Sequence, residues 1–293
     1  MTVREGGAYG PLLDALRALR WPARRPVAGG APGAHAARAR GSAVEFSEYR
    51  PYRQGDDPRR LDWKLLARSD RAFIRLSPDR AVLRTIVVVD ASASMAFPAG
   101  SLAKWAQARR LAVGLAAVAH GQGDPLGARV ATSPPRLLAP RTRRGVVGEL
   151  ATVLDEVVPA GSPAMAPLLA TLAGTERLLL VTDLLGDADA LLAAAARHVA
   201  AGGEVTVVHV VSREELDPPA GALLAVDPED ASIRRSVDDA ARAGYMDAFA
   251  EWRAATARAW RAAGARHVLV QDDEPAERAV RRIVAGTSSE RGT

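Results

Sequence analysis

From residue 84 onward, short apolar runs alternate with longer segments in which apolar residues recur at helical spacing. Short runs rich in Val and Leu between polar or turn residues predict buried strands, whereas the 3.6-residue period predicts amphipathic helices. The predicted strands are 85–89, 127–132, 177–182, 204–211 and 267–271, with a hairpin over 222–237. The predicted helices are 102–120, 145–157, 164–172, 188–200, about 238–263, and a last one from residue 275.

This alternation predicts an α/β fold. Strands that are apolar along their whole length are typical of a mainly parallel sheet buried on both faces. Right-handed crossovers place the connecting helices on either side, which gives a doubly wound sheet. In such sheets, ligands bind beyond the carboxyl ends of the strands.

The first 84 residues follow a different pattern. Leucines at helical spacing predict a helix over residues 11–20, and residues 21–41 are rich in Pro, Gly, Ala and Arg without periodicity. Strand-like pieces then occur among polar, turn-rich sequence up to residue 76. We therefore predict three parts: an N-terminal helix and flexible segment (1–40), a small basic β-rich lobe (41–84), and the α/β domain (85–293).

The amino-acid composition excludes several classes of function. The chain has no cysteine, which excludes disulfides, thiolate catalysis and cysteine-ligated metal centres, so any metal must be held by oxygen or histidine. Its longest apolar runs are about half of the ~20 residues that a membrane helix requires. The N-terminus lacks the pattern of a signal peptide, and we expect a cytoplasmic protein without a membrane span.

Charge is distributed unevenly. Residues 1–84 hold 17 Lys and Arg against 9 Asp and Glu (17 − 9 = +8), and the remainder holds 22 against 25 (22 − 25 = −3). A basic N-terminal part leaves nucleic-acid binding open as a hypothesis. Only two of the 39 basic residues are lysines, and an arginine-rich solvated surface is the interpretation that we favour.

The sequence VVVDASASM places polar groups at the end of the first strand of the α/β domain. Asp90, Ser92 and Ser94 offer one carboxylate and two hydroxyls at a spacing of two. Oxygen ligands of this kind suit a hard divalent cation such as Mg²⁺. Asp183, which follows another strand, and Ser162, in a turn before a helix, are expected to complete the set, because carboxyl ends of parallel strands share one rim.

Other interpretations of these residues stay open. A phosphoryl-transfer aspartate with a partner acid is disfavoured because position 92 is Ser, and no nucleophile elbow suggests a serine hydrolase. His209 and His267 are interpreted as strand residues with satisfied ring nitrogens. Asp90 and Asp183 could also simply cap the helices or turns that follow them.

The D-x-S-x-S pattern after a Val-rich strand, the later Gly-Ser turn and the Asp closing another strand resemble the von Willebrand factor A domain with its metal-ion-dependent adhesion site. The resemblance implies that Ser92, Ser94 and Ser162 offer hydroxyls to Mg²⁺ (or Mn²⁺), and that Asp90 and Asp183 act directly or through water. The family usually has threonine at the place of Ser162.

More specifically, the segment FSEYRPYRQGDDPRRLDWK at residues 46–64 and the later pieces LVTDLLGD and SREELDPP resemble the von Willebrand A-type family called domain of unknown function 58. The resemblance covers roughly residues 11–285. It marks six residues as candidate partner contacts: Arg50, Tyr52, Asp56, Arg59, Trp63 and Arg68. These arginines could equally pair with nearby aspartates and hold the lobe together, and Trp63 could be a packing anchor.

What the resemblance implies is a non-enzymatic, metal-dependent protein-binding adaptor. Relatives are often associated with MoxR-type AAA+ ATPases, so a chaperone-like assembly with such an ATPase and a client offering an acidic side chain is expected. The chain itself has no G-x-x-x-x-G-K-[ST] phosphate loop. The alternatives are a metal-assisted hydrolase, which lacks an evident general base, and nucleic-acid binding through the basic N-terminal lobe.

Overall fold

The computed structural model describes residues 8–24, 32–36, 48–52, 61–69, 71–76, 80–174, 176–221, 223–226, 232 and 234–289. Contacts divide the chain into two units, one comprising Met1–Trp21 with Arg84–Thr293 and the other Pro22–Leu83. The predicted parts were 1–40, 41–84 and 85–293. In the structure, the N-terminal helix is grouped with the α/β domain.

The strands are β1 (Pro32–Ala36), β2 (Glu48–Pro51), β3 (Phe73–Leu76), β4 (Arg80–Ala81), β5 (Thr85–Asp90), β6 (Leu126–Ala131), β7 (Arg136–Arg141), β8 (Arg177–Thr182), β9 (Glu204–Val211), β10 (Leu223–Val226), β11 (Arg234–Val237) and β12 (Arg266–Gln271). The helices are α1 (Gly10–Leu16), α2 (Trp63–Ser69), α3 (Ala103–His120), α4 (Val146–Asp155), α5 (Ala166–Ala170), α6 (Ala188–Ala200), α7 (Arg213–Leu216), α8 (Asp239–Ala262) and α9 (Ala276–Ser289), with a 3-10 turn at Ala93–Ala96.

A six-stranded sheet with the order β12-β9-β8-β5-β6-β7 forms the centre of the larger unit. Its strands pair in parallel except β7, which runs antiparallel to β6. The predicted mixed α/β architecture with a mostly parallel central sheet is confirmed. Chain order reverses between β5 and β8, so the carboxyl ends of these two strands flank the topological switch point, where such sheets bind ligands.

Both faces of the sheet are covered by helices, and successive side chains of a strand point to opposite faces. Val87 and Val89 of β5 belong to a cluster with residues of α3, α4 and α9. Ile86 and Val88 belong to a second cluster with residues of α5 and α6. The unbroken apolar runs in the sequence therefore correspond to strands that have helices on both sides.

The edge strand β7 was missing from the prediction. Its sequence, RLLAPR, contains Pro140 and is largely exposed, and Leu137 keeps 66% of its surface accessible. A strand at a sheet edge tolerates proline and lacks the continuous burial that marks a central strand. The sequence signal used for the other strands was therefore absent.

The smaller unit contains two antiparallel pairs, β1 with β4 and β2 with β3. Helix α2 was not predicted in what was expected to be a β-rich lobe. It begins where the Asp62 carboxylate accepts hydrogen bonds from the backbone N–H groups of Lys64 and Leu65, both at 3.0 Å. Such an N-terminal cap stabilises a helix in a polar segment that lacks a strong periodic pattern.

None of the helices in the described part of the chain is long and apolar enough to cross a membrane.

Candidate functional site

The candidate site lies where β5 ends, at the switch point of the sheet. The last residue of β5 is Asp90, and the chain then turns through the 3-10 turn. The loop before α5 is bonded to this turn: Ala93 N–H donates to the Gly161 carbonyl (2.8 Å), and Ala160 N–H donates to the Ala91 carbonyl (2.9 Å). These two bonds hold the segment that carries Ser162 beside the segment that carries the aspartate.

The Asp90 carboxylate is buried and receives two hydrogen bonds. Its Oδ1 accepts from the Ser92 backbone N–H at 2.9 Å, and its Oδ2 accepts from the Thr182 hydroxyl at 2.7 Å. Thr182 ends β8, the strand adjacent to β5, and its Oγ1 also accepts from the Leu184 N–H at 3.0 Å. The orientation of the carboxylate is therefore fixed from both sides of the switch point.

Two of the three predicted serines line a cleft with Asp90, and the third is hydrogen-bonded to one of them. Ser92 Oγ and Ser94 Oγ are 3.0 Å apart and buried. Ser162 lines a cleft of about 70 Å³ together with Asp90 and Ser92. The structure thus brings Asp90, Ser92 and Ser162 to one small cleft, with Ser94 hydrogen-bonded to Ser92.

Asp183, the second predicted acid, is engaged differently. Its Oδ1 accepts from the Leu185 N–H at 3.2 Å, and its Oδ2 lies 2.8 Å from the ammonium of Lys104. Among the described residues, it does not line the cleft that Asp90 lines. Asp183 is therefore the counterion of a buried lysine, and the carboxylate facing the cleft from the predicted set is Asp90.

Lys104 is the centre of a buried ionic group. Its side chain is fully buried, and its Nζ lies 2.6 Å from Glu215 Oε1 as well as 2.8 Å from Asp183. Glu215 accepts from the Ser212 N–H at 2.7 Å as part of a capping box at the start of α7. Burial alone would lower the pKa of Lys104, but the two carboxylates outweigh it and raise the pKa above its ordinary value.

The electrostatic state of Asp90 favours a cation nearby. Burial, and then the negative charge of Asp183, raise the pKa of Asp90 to about 6, against hydrogen bonds from Thr182 and Ser92 that lower it. Carboxylate and hydroxyl oxygens are the ligands that Mg²⁺ accepts. The carboxylate and hydroxyl oxygens at the cleft therefore fit such a cation as ligands. The described residues contain no cluster of three His, Asp or Glu side chains of the kind that would form a carboxylate-rich cage.

Sequence reasoning missed three residues of this region. Thr182 was treated only as the end of a strand, although it bonds Asp90 directly. Lys104 carried a signal, since it is the single lysine after residue 84. Asp187 also lines the cleft, and its carboxylate caps α6 by accepting from the Ala190 N–H at 3.4 Å.

The six candidate partner contacts all lie in the smaller unit. Asp56 and Arg59 fall outside the described residues, as does the side chain of Arg50. Tyr52 is half-buried, and Arg68 is exposed. Trp63 keeps 63% of its surface accessible, which disfavours the alternative that it is a packing anchor.

The hydrogen bond from Thr182 to Asp90 gives a direct test of the local geometry. In Thr182→Val, a methyl group replaces the hydroxyl, which leaves Asp90 Oδ2 and the Leu184 N–H without this partner. We expect a loss of about 1–3 kcal/mol in the free energy of unfolding, because a buried charged acceptor loses its donor. Urea denaturation measures the change. Thr182→Ser, which keeps the oxygen, is the control, and equal losses in both variants would contradict the assignment.

His209, which is buried, and His267, which is half-buried, form a pair on neighbouring strands. His209 Nδ1 lies 3.1 Å from His267 Nε2, and the His209 ring meets the Trp252 ring edge-on at 5.6 Å. Both are strand residues, as predicted, but His209 Nε2 has no hydrogen-bond partner among the described residues, so the prediction of satisfied nitrogens is wrong for that atom. Burial, and then the other histidine, lower the pKa of His209 to about 3.

From the low pKa of His209, we predict that the folded protein loses stability in acid. Histidine in the unfolded chain has a pKa near 6.5, so below that pH the unfolded chain binds a proton that His209 in the folded protein does not bind. The contribution of His209 to the free energy of unfolding is therefore fully present above about pH 7. It is lost as pH falls, by about 2 kcal/mol at pH 5. We expect the loss between pH 7.5 and pH 5, measured by urea denaturation, to shrink by about that amount in His209→Asn. An unchanged loss would contradict the prediction.

Comparisons with known proteins place the chain among uncharacterised relatives. A family model described as protein of unknown function DUF58 matches residues 48–255. Uncharacterized proteins of Mycobacterium tuberculosis and Mycobacterium bovis are each 31% identical to it, over 89% of this chain and 85% of the relative.

Two solved structures are also similar to parts of the chain. The crystal structure of conserved hypothetical protein BatB from Bacteroides thetaiotaomicron is 15% identical with a TM-score of 0.45, and covers 71% of this chain and 99% of that one. An aerotolerance-related membrane protein from Bacteroides fragilis is 16% identical with a TM-score of 0.45, and covers 70% and 99% respectively.

Proposed function

This chain belongs to the DUF58 family of proteins of unknown function, and we propose that it is a non-enzymatic adaptor that binds a protein partner through a von Willebrand A-like metal centre. The observation that carries the proposal is the arrangement at the switch point. One buried carboxylate, from Asp90, shares a small cleft with the hydroxyl-bearing residues Ser92 and Ser162. This is the edge of a parallel sheet at which ligands are expected.

In this proposal, Asp90, Ser92, Ser94 and Ser162 hold Mg²⁺ or Mn²⁺. The cation would supply a positive centre that accepts an acidic side chain of the partner. The protein's own contribution is orientation: Thr182 and the Ser92 N–H fix the Asp90 carboxylate, and the bonds between the two loops fix the position of Ser162. Asp183 remains paired with Lys104 in this proposal.

A metal-assisted hydrolase is the less favoured alternative because it requires a general base at the cleft. The described residues that line the cleft include no histidine and no lysine. Asp187 is the further carboxylate there, and it is occupied as the cap of α6. The cleft therefore suits the binding of a cation better than general-base catalysis.

The proposed partners are a MoxR-type AAA+ ATPase and a client that offers an acidic side chain. This choice rests on the family resemblance of residues 46–64 and of the metal motif. The partner surface proposed for the ATPase includes Tyr52, Trp63 and Arg68, and the exposure of Trp63 and Arg68 supports it. Nucleic-acid binding through the basic residues 1–84 is the other alternative, and its affinity would fall steeply with salt and survive chelation.

The test is metal-dependent capture, first from a lysate and then with the purified partner. The full chain is titrated with Mg²⁺ and Mn²⁺ by calorimetry and then used to capture proteins from a native lysate, with metal or with chelator. An AAA+ ATPase recovered only with metal, and then bound by the purified chain under the same conditions, would support the adaptor. Capture that is indifferent to chelation would exclude the metal centre as the binding device.

A further inference from the structure

A larger cleft lies at the β12 edge of the central sheet, away from the residues of the metal site. Its volume is about 510 Å³, and its described lining residues come from α8, β12 and α9. Four of them are arginines: Arg253, Arg261, Arg266 and Arg282. None of the described lining residues is an aspartate or a glutamate, although Arg282 is paired at 2.7 Å with Glu274, which lies outside the lining. The lining itself is therefore positive.

Two of the arginines are fixed by backbone carbonyl groups. Arg266 donates to the carbonyls of Ile283 and Arg282. Arg282 donates to the Leu269 carbonyl at 2.9 Å and to Glu274 Oε2 at 2.7 Å. Their guanidinium groups are thus held at the wall of the cleft before any ligand arrives, which lowers the entropic cost of binding.

The other two arginines, Arg253 and Arg261, lie on α8. Among the described residues, neither forms an ion pair with a carboxylate. The guanidinium of Arg253 lies over the Phe249 ring at 5.2 Å, and its Nε is buried without a hydrogen-bond partner in the described part of the chain. Buried donors of this kind normally have an acceptor, so the Arg253 Nε–H is an unsatisfied donor beside the cleft.

The positive field also acts on a neighbouring histidine in the same lining. Burial, and then the charge of Arg261, lower the pKa of His267 to about 4. A histidine that stays neutral at physiological pH presents an uncharged ring beside the arginines.

The remaining part of the wall is apolar. Ala250, Ala254 and Ala257 lie on one face of α8, and Val268 and Leu269 come from the strand. Small side chains leave a smooth surface against which a planar ring can pack. The Leu269 carbonyl already accepts a hydrogen bond from Arg282 at this edge of the sheet.

We propose that this cleft binds a small organic molecule with two or more phosphate groups, of the size of a nucleoside diphosphate. Guanidinium groups bind phosphate oxygens through paired hydrogen bonds, and two or more arginines can share the groups of one ligand. The volume lies within the range of small-molecule sites, about 300–1,000 Å³. The alanine wall provides a place for the organic part, and the arginines provide a place for the phosphates.

The test is calorimetric titration of the full chain with ADP, GDP, inorganic pyrophosphate and a hexaglutamate peptide, all in chelator so that the metal centre does not contribute. We expect a nucleoside diphosphate to bind and pyrophosphate to bind more weakly. In Arg261→Gln, the affinity is expected to fall at least about tenfold, as for loss of one charge-assisted contact. Arg258→Gln is the matched control, since it removes the same charge from an exposed position of α8 outside the lining.

Asp90→Asn is expected to bind the nucleotide as the wild type does, which separates this proposal from the metal centre. Three results would each overturn it: no binding of any nucleotide at millimolar concentration, equal weakening by Arg258→Gln and Arg261→Gln, or binding of hexaglutamate alone. Pyrophosphate binding as tight as that of the nucleotides would refute the role of the alanine wall.

Discussion

Asp90→Asn is expected to abolish metal-dependent partner capture while leaving the protein folded. The amide has nearly the shape of the carboxylate, and it can still accept hydrogen bonds through its oxygen from the Ser92 N–H or the Thr182 hydroxyl. It removes the negative charge that faces the cleft, and ligand charge sets the affinity of an oxygen site for a divalent cation. We expect Mg²⁺ affinity to fall by about a hundredfold or more, judging by the wide range that ligand charge controls.

The measurements are calorimetric Mg²⁺ titration and capture of the purified ATPase partner, with urea denaturation to verify folding. Asp189→Asn is the matched control because it makes the same change at an exposed position in the first turn of α6. Ser92→Ala and Ser162→Ala, which each remove one hydroxyl, are expected to show smaller losses. If Asp90→Asn binds Mg²⁺ and the partner like the wild type, Asp90 is a structural residue and the adaptor proposal fails.

The strands that carry the candidate site could be predicted because burial on both faces leaves a simple signal. β8 and β9 were predicted with the bounds that the structure has, and β5 differs by one residue. Asp90 was identified because it is the first charge after a run of apolar residues. Elements that depend on local capping or on an edge position, such as α2 and β7, have no such signal.

The partners of the charged residues could not be predicted from the sequence. Asp90 and Asp183 follow adjacent parallel strands, so they were expected to face one ligand. The orientation of each carboxylate depends on the side chains of the helices that pack against the sheet. For Asp183 that side chain is Lys104, a residue 79 positions earlier on α3 (183 − 104), and the pairing becomes visible only when the helix is packed on the sheet.

The buried group around Lys104 leads to the prediction with the largest effect on stability. Lys104→Met removes a fully buried ammonium and leaves Asp183, 2% exposed, and Glu215, 12% exposed, without their cation. Two buried carboxylates without a counterion are costly, and breaking such a pair typically costs about 3–5 kcal/mol. We expect a loss of this size in the free energy of unfolding measured in urea at pH 7.5.

A triple variant keeps this prediction testable if Lys104→Met does not fold. In Lys104→Met/Asp183→Asn/Glu215→Gln, all three groups are neutral and of similar shape, and replacing a whole buried ionic group in this way is often close to neutral. We therefore expect the triple variant to regain more than half of the lost stability. A triple variant no more stable than Lys104→Met would show that packing, not charge, explains the loss.

The double variant Lys104→Met/Asp183→Asn also separates the two roles considered for Asp183. If Asp183 acts as the counterion of Lys104, removing both charges leaves the charge balance near Asp90 unchanged, because one positive and one negative group are lost together. Mg²⁺ affinity should then stay within about threefold of the wild type, which is less than the 1.4 kcal/mol that corresponds to a tenfold change. If Asp183 is instead required to hold the cation, this variant should lose Mg²⁺ as Asp90→Asn does, and the site would be a two-carboxylate centre.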